Sequence, residues 1–256
     1  MFLYVVMKKG KYGLFNGNVL KLKDDLAILK PTIFASVPRL YNKFYDKIQA
    51  GLKEATGCKA TIAAKAIAAK KENLEKTGKY THWLYDKLVF SKMKAVLGGN
   101  VEVMITASAP ISKEVKEFLK IAFCCGFAEA YGQTEGLGGS FLADPEDNVM
   151  GMVGGPLPQN EFKLIDVPEM SYLSTDKDEN GNPSPRGEIL VRGANVIPGY
   201  YKNEEQTSEM IDKDGWLHSG DIGQILHETG SLKIIDRRKN IFKLSQGEYI
   251  APDKLE

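Results

Sequence analysis

From Val101 to Tyr131 the chain reads strand, helix, strand, and that order restricts the fold more than any other stretch. Val101-Glu102-Val103-Met104-Ile105 alternates apolar and polar side chains, the period of a strand. Ser112 is a helix-capping residue type, and Val115, Phe118, Leu119 and Ala122 then share one helical face. Phe127 to Tyr131 is a second strand. This is the repeating unit of an α/β sheet, in which ligands bind beyond the carboxyl ends of the strands. The second strand runs out into Tyr131-Gly132-Gln133-Thr134-Glu135, so that pentapeptide falls where such a sheet holds its ligand.

The same pattern extends upstream. Thr32 to Val37 lies between Pro31 and Pro38 and is long enough for one buried strand, while Tyr12-Gly13-Leu14-Phe15 is a shorter strand-and-turn signal. Leu40, Phe44, Ile48 and Leu52 recur at helical spacing. Residues 59–76 are rich in Ala, Lys and Glu and predict a helix stopped by Gly78; another runs from Trp83 to Leu97 and stops at Gly98-Gly99. After Gly151 turn residues become dense and Asp176 to Pro185 is a polar loop. Gly187–Arg192, Ile222–His227 and Leu232–Asp236 read as strands, the last two joined by a hairpin turn at Glu228-Thr229-Gly230-Ser231. The expected organisation is an α/β part over residues 1–150 and a β-rich subdomain over 151–235. At the ends, Phe2 to Met7 is apolar but far too short to cross a bilayer, and Pro252 to Glu256 reads as the first turn of a helix. The chain is expected to be an internal piece of a longer enzyme.

Charge and cysteine content exclude some functions. A net charge of +1 provides no bulk attraction to nucleic acid. Cys58, Cys124 and Cys125 have no metal-ligand spacing, and the adjacent pair is poorly placed to bridge, which fits a reducing compartment.

Residue chemistry suggests what the pentapeptide does. Gly132 lets backbone approach a ligand, the Tyr131 ring can stack on a purine, and the Thr134 hydroxyl can donate to a phosphate oxygen. Glu135 offers a hard oxygen to Mg²⁺, which takes one or two carboxylates together with substrate phosphates. Downstream, Asp221 follows Trp216-Leu217-His218-Ser219-Gly220 and taken alone reads as a turn aspartate. His218 has no nucleophile to pair with and reads as structural. Asp236 to Lys243 is a charge run, which taken alone is a solvated turn.

Taken in order, Tyr131–Glu135, Trp216–Asp221 and Ile235–Lys243 resemble the nucleotide-handling signature of adenylate-forming enzymes. The continuation Leu244-Ser245-Gln246-Gly247-Glu248-Tyr249-Ile250-Ala251-Pro252 resembles the eukaryotic long-chain acyl-CoA synthetases. The resemblance implies an α/β fold, part of the large N-terminal domain of such an enzyme, with residues 236–256 forming the hinge and the start of a small C-terminal domain. It implies activation of a long-chain fatty acid by ATP and Mg²⁺ through an acyl-adenylate, with transfer to CoA. Thr134, Glu135 and Lys243 would be catalytic, with Glu135 on the metal. Thr106, Glu129, Ala130, Tyr131, Gly132, Thr134, Asp221, Arg237 and Lys239 would bind nucleotide, and Asp236 would be the hinge. Thr106 opens Thr106-Ala107-Ser108-Ala109-Pro110, which resembles the family's adenine-flanking Gly-Ala-Ala-Pro loop. Pro31 to Asp46 resembles a further family segment, carried by Lys30-Pro31-Thr32-Ile33-Phe34 and Val37-Pro38-Arg39-Leu40-Tyr41, with Arg39 supporting the site from behind. An intracellular protein is implied, on the cytosolic face of the endoplasmic reticulum or in the peroxisome. The family's upstream Ser/Thr/Gly-rich phosphate loop and its far C-terminal Lys have no counterpart in this chain. Two other readings remain: another adenylate-forming CoA ligase, and an inactive nucleotide-binding fragment.

Overall fold

The computed structural model describes residues 7–147, 149 and 151–238, and the backbone of 242–243 and 249–250. The apolar run before Met7, the extension beyond Lys243 apart from that backbone, and the helical turn at Pro252 lie outside the described residues. Contacts divide the chain into two compact units, Met1–Met104 with Glu114–Phe127, and Ile105–Lys113 with Ala128–Glu256.

In the first unit, helix α1 spans Leu22–Leu29, strand β1 Ile33–Ser36, helix α2 Pro38–Glu54 and helix α3 Gly57–Thr77. Pro38 opens α2 where its missing N–H costs nothing, and Tyr41 of α2 is fully buried, its hydroxyl donating to Phe34 O at 2.8 Å. Helix α3 ends at Gly78, as its composition predicts. The expected single helix over Trp83–Leu97 is instead a π turn at Asp86–Phe90, an α turn at Ser91–Lys94 and a 3-10 turn at Ala95–Leu97. The wide turn begins at Asp86, whose two carboxylate oxygens are held by Lys70 Nζ at 2.7 Å and by the His82 N–H at 2.9 Å. Tyr12–Phe15 forms no strand, and its apolar side chains are exposed.

Strands β2 (Val103–Thr106) and β3 (Gly126–Tyr131) each begin in the first unit and end in the second, and helix α4 (Lys113–Phe123) joins them, starting just after Ser112. Glu102 O accepts from Gly126 N at 2.9 Å, so the two strands start side by side and both deliver their carboxyl ends into the second unit. The five-stranded sheet has the order β1-β2-β3-β4-β5, closed by the short strands β4 (Phe141–Leu142) and β5 (Gly155–Pro156).

The second unit is dominated by a four-stranded antiparallel sheet, β6 (Asn160–Ile165), β7 (Arg186–Gly193), β8 (Leu217–Ile225) and β9 (Leu232–Arg237), paired in that order. A short helix α5 (Glu204–Met210) precedes β8. Phe141, Val153, Ile189, Val191 and Leu232 form the core, with Phe162 edge-on to Phe141 at 5.1 Å. The expected hairpin turn at Glu228–Ser231 joins β8 to β9, with Leu226 N donating to Ser231 O at 3.0 Å. The register shifts twice, in the β7–β8 pair between Glu188 and Leu190 and in the β8–β9 pair between Ile222 and Gly223, with the extra residues on β8 and on β9. Bulges re-aim side chains, and these two flank the charged residues described next.

Candidate functional site

The pentapeptide leaves β3 as a closed loop. Ser140 N donates to Tyr131 O at 2.8 Å, and Gln133 O accepts from Gly136 N and Gly138 N at 3.1 and 3.2 Å. The loop closes so tightly on Gly132 that a Cβ there would sit 1.7 Å from Gly138 O. The obstructing atoms are backbone, so no rotamer can relieve the clash. Gly132→Ala is expected to lower the stability of the chain by about 1–3 kcal/mol. An unchanged urea midpoint would show that the loop opens at no cost.

Two asparagines and a tyrosine outside the expected set brace the far side of this loop. Asn195 Nδ2 donates to Gly136 O at 2.8 Å and Asn160 Nδ2 to Ser140 O at 2.9 Å. Tyr200 donates its hydroxyl to Glu135 Oε1 at 2.6 Å, and Glu135 O accepts from Ile197 N at 2.9 Å. That hydrogen bond, followed by burial and the carboxylate's charge, pushes the Tyr200 hydroxyl up to about 12. Half-buried Glu135 therefore has one oxygen held by a neutral donor.

The β8–β9 hairpin supplies the second half of the site. Its register sets Asp221 opposite Arg237 and Ile222 opposite Asp236. Residues directly opposite on one sheet interact, and Arg237 Nε reaches Asp221 Oδ1 at 2.9 Å. The other oxygen, Asp221 Oδ2, accepts from the Tyr131 hydroxyl at 2.6 Å. Burial, then the Asp221 charge, lifts the Tyr131 hydroxyl well above the ordinary tyrosine range, so it stays a donor. Gly220, with φ of 70°, turns its N–H toward Glu188 Oε1 at 3.1 Å. Glu188 is buried in β7, and its second oxygen accepts from Arg238 at 3.0 Å. Arg238 also reaches Glu169 at 2.8 Å. Asp236 Oδ2 accepts from the Tyr172 hydroxyl at 3.1 Å, and burial followed by that carboxylate raises the Tyr172 hydroxyl above its usual range.

Thr106, Glu129, Ala130, Tyr131, Gly132, Thr134, Glu135, Asp221, Asp236 and Arg237 all lie in the second unit. Tyr131, Asp221 and Arg237 are joined by hydrogen bonds; Glu135 and Asp236 are each tied to a tyrosine instead. Thr134 is exposed at the loop tip, and Glu129 is buried in β3. Thr106 ends β2 with a buried Oγ1 that has no hydrogen-bond partner among the described residues, the mark of an acceptor or donor missing from its surroundings. Lys239 lies outside the described residues, and Lys243 is described only as backbone in a two-residue strand, Phe242–Lys243. His218 stands 3.8 Å from both Glu188 and Asp212, a structural placement. Arg39 is exposed in the first unit.

Sequence reasoning missed Glu188, Arg238, Tyr172 and Tyr200. Glu188 left a signal, as the one charged residue inside the apolar run Gly187–Val191. Tyr172 and Tyr200 left none, because each acts through a partner 64 or 65 positions away.

The AMP-binding enzyme family matches residues 1–201. The chain is 51% identical over 244 residues to long chain acyl-CoA synthetase 7, peroxisomal, of Arabidopsis thaliana, covering 95% of this chain and 34% of that protein. It is 48% identical over 247 residues to long-chain-fatty-acid–CoA ligase 5 of Mus musculus, covering 96% of this chain and 35% of that one. It thus spans about a third of the length of these curated relatives. Among solved structures, the A domain of carboxylic acid reductase from Segniliparus rugosus, in complex with AMP and a co-purified carboxylic acid, superposes with a TM-score of 0.64 at 28% identity. That match covers 95% of this chain and 33% of the reductase chain.

Proposed function

This chain belongs to the AMP-binding enzyme family, and from that premise we propose that it is the nucleotide-handling part of a long-chain fatty acid–CoA ligase. Such a ligase joins the fatty acid carboxylate to the α-phosphorus of ATP, releasing pyrophosphate, and the CoA thiol then displaces AMP to leave the thioester. The observation that carries the reading is the Tyr131–Asp221–Arg237 chain of hydrogen bonds at the carboxyl end of β3. It offers a carboxylate fixed on both sides, suited to two ribose hydroxyls. The complex of AMP and a carboxylic acid on the Segniliparus rugosus domain supports the same pairing of ligands here, and the names of the curated relatives support the long acyl chain and CoA.

The residues divide the work. Asp221 holds the ribose, and Arg237, paired with it at 2.9 Å, flanks the same sugar. The exposed edge of Tyr131, with Ala130 and Glu129 before it, forms the adenine wall, and the orphan hydroxyl of Thr106 completes it from β2. Gly132 lets the loop close, and Thr134 donates to a phosphate oxygen. Glu135 would hold the Mg²⁺ that accompanies ATP, which supplies neutralisation of phosphate charge. The donor fits that ion: Glu135 is a hard carboxylate on the half-buried loop, and Mg²⁺ is usually held by one or two carboxylates with the substrate's phosphates. Asp236, backed by Tyr172, would be the hinge about which residues 236–256 move between the two half-reactions, with Lys239 and Lys243 near phosphates. Residues 1–150 and 151–235 would be two parts of one AMP-binding domain. An intracellular address in the peroxisome or on the endoplasmic reticulum follows from the same kinship.

Glu135→Gln tests this assignment in a ligase that carries the segment. The amide keeps size and hydrogen bonding but loses the charge. Acyl-adenylate formation is expected to slow by about tenfold or more, with part of the loss recovered by added Mg²⁺. Thioester formation from supplied acyl-adenylate is expected to change little. Equal damage to both half-reactions without rescue would return Glu135 to the role of a structural loop residue.

A further inference from the structure

We propose that Tyr200 is a positioning residue for the adenylation step: it fixes the Glu135 carboxylate so that one oxygen is aimed at the metal that accompanies ATP. The inference rests on the reading of Glu135 as the Mg²⁺ ligand and deepens it.

The connection between β7 and α5 grips the Thr134–Gly136 turn by three hydrogen bonds. Asn195 Nδ2 donates to Gly136 O at 2.8 Å, and Ile197 N donates to Glu135 O at 2.9 Å. Both of these hold backbone. The third, from the Tyr200 hydroxyl to Glu135 Oε1 at 2.6 Å, reaches the side chain. A glutamate on a loop is a long, freely rotating side chain, and ordering it costs entropy when a ligand must do so alone. The Tyr200 bond takes Oε1 and leaves Oε2 to a ligand. With the backbone and one carboxylate oxygen both fixed, the direction of Oε2 is set before ATP arrives. Carboxylates that bind metals are commonly held in this way by an outer hydrogen-bond donor.

Tyr200 is held in its turn. Its N–H donates to Thr207 Oγ1 at 2.9 Å, and that hydroxyl donates to Asn203 O at 2.7 Å. Asn203 caps α5 by accepting from Gln206 N at 3.1 Å. The Tyr200 hydroxyl also lies 2.7 Å from Met210 Sδ. It has one proton to give, and a carboxylate is a far better acceptor than a thioether, so Met210 acts as packing. The short helix α5 thereby anchors a side chain of the candidate site from outside the pentapeptide. The type of donor matters as well. A lysine or arginine at this place would offset the carboxylate's charge and repel a cation, whereas a phenol orients the carboxylate without adding charge.

The test uses a ligase that carries the segment and reads ATP binding by calorimetry, with and without Mg²⁺. Tyr200→Phe keeps the ring and removes the hydroxyl. It is expected to weaken binding of the Mg²⁺–ATP complex by about three- to tenfold and to leave binding of metal-free ATP unchanged. Glu135→Gln is expected to weaken the Mg²⁺–ATP complex by more, and Tyr200→Phe added to Glu135→Gln is expected to cost nothing further, because the two act as one unit. Thr207→Ala, which loosens the anchor of Tyr200, is expected to give a smaller loss of the same kind and serves as the test should Tyr200→Phe fail to fold. Circular dichroism confirms that each variant is folded. Equal weakening of Mg²⁺–ATP and metal-free ATP would make Tyr200 a structural residue and overturn the proposal. Tighter binding of Mg²⁺–ATP by Tyr200→Phe would overturn it too, since the phenol would then be competing with the metal. A loss with Glu135→Gln and none with Tyr200→Phe would overturn this inference and leave the reading of Glu135 standing. No loss with Glu135→Gln would remove that reading and this inference with it.

Discussion

Replacing Lys70 by alanine should destabilise the chain by about 3 kcal/mol. Lys70 has no exposed side-chain surface, and its ammonium donates to Asp86 at 2.7 Å and to Ile121 O at 2.6 Å. It also stands 3.1 Å from Cys124 Sγ and 4.1 Å above the Phe90 ring. Removing one partner of a buried pair costs about 3–5 kcal/mol, mostly because the other charge is left behind. Asp86 keeps 23% of its side chain exposed and also retains the His82 N–H, so the lower end applies. Lys70→Met with Asp86→Asn, which removes both charges and keeps volume, should recover much of the loss. Urea unfolding followed by circular dichroism reads both. A midpoint unmoved by Lys70→Ala would mean that water solvates Asp86 without difficulty.

Asp221→Ala should weaken AMP binding by about 1.5–3 kcal/mol, the range for a hydrogen bond to a charged group and roughly ten- to a hundredfold in affinity. The change removes the carboxylate proposed for the ribose and strips Tyr131 and Arg237 of their shared partner. Tyr131→Phe separates the two effects: it keeps the ring and takes only the hydroxyl, so a much smaller loss is expected. Calorimetric titration of a ligase that carries this segment provides the measurement. Equal losses from Asp221→Ala and Tyr131→Phe would show that Asp221 acts through Tyr131 alone, and unchanged affinity in both would remove it from the site.

These two residues mark how far the chain can be read as text. Asp221 stood out because Trp216–Asp221 is a recognisable block, and the turn at Glu228–Ser231 announced the hairpin that sets it opposite Arg237. Lys70 did not stand out. It sits in an Ala-, Lys- and Glu-rich helix whose other lysines are solvated, and nothing nearby in sequence distinguishes it from Lys65 or Lys71. The helix fails to betray it because its partners, Asp86 and Ile121, come from 16 and 51 positions away. Lys116 and Lys120 of α4 are buried as well, Lys120 standing 5.3 Å from the Tyr80 ring centroid.

What the sequence determined by itself was local. Period and capping marked β2, α4 and β3; Pro38 and Gly78 bounded α2 and α3; turn residues marked the β8–β9 hairpin; and the order of three short motifs pointed to the family. These follow from backbone sterics and side-chain spacing, which act within a few residues. Tertiary structure decided the rest. It left Tyr12–Phe15 without a strand, widened the turn at Asp86, gave Glu135 to Tyr200 and Asp236 to Tyr172, and buried Glu188 between Gly220 and Arg238. Each of these depends on desolvation and on partners brought together by folding. A charge loses its water only when distant elements close over it, and the partner that then compensates it can come from anywhere in the chain.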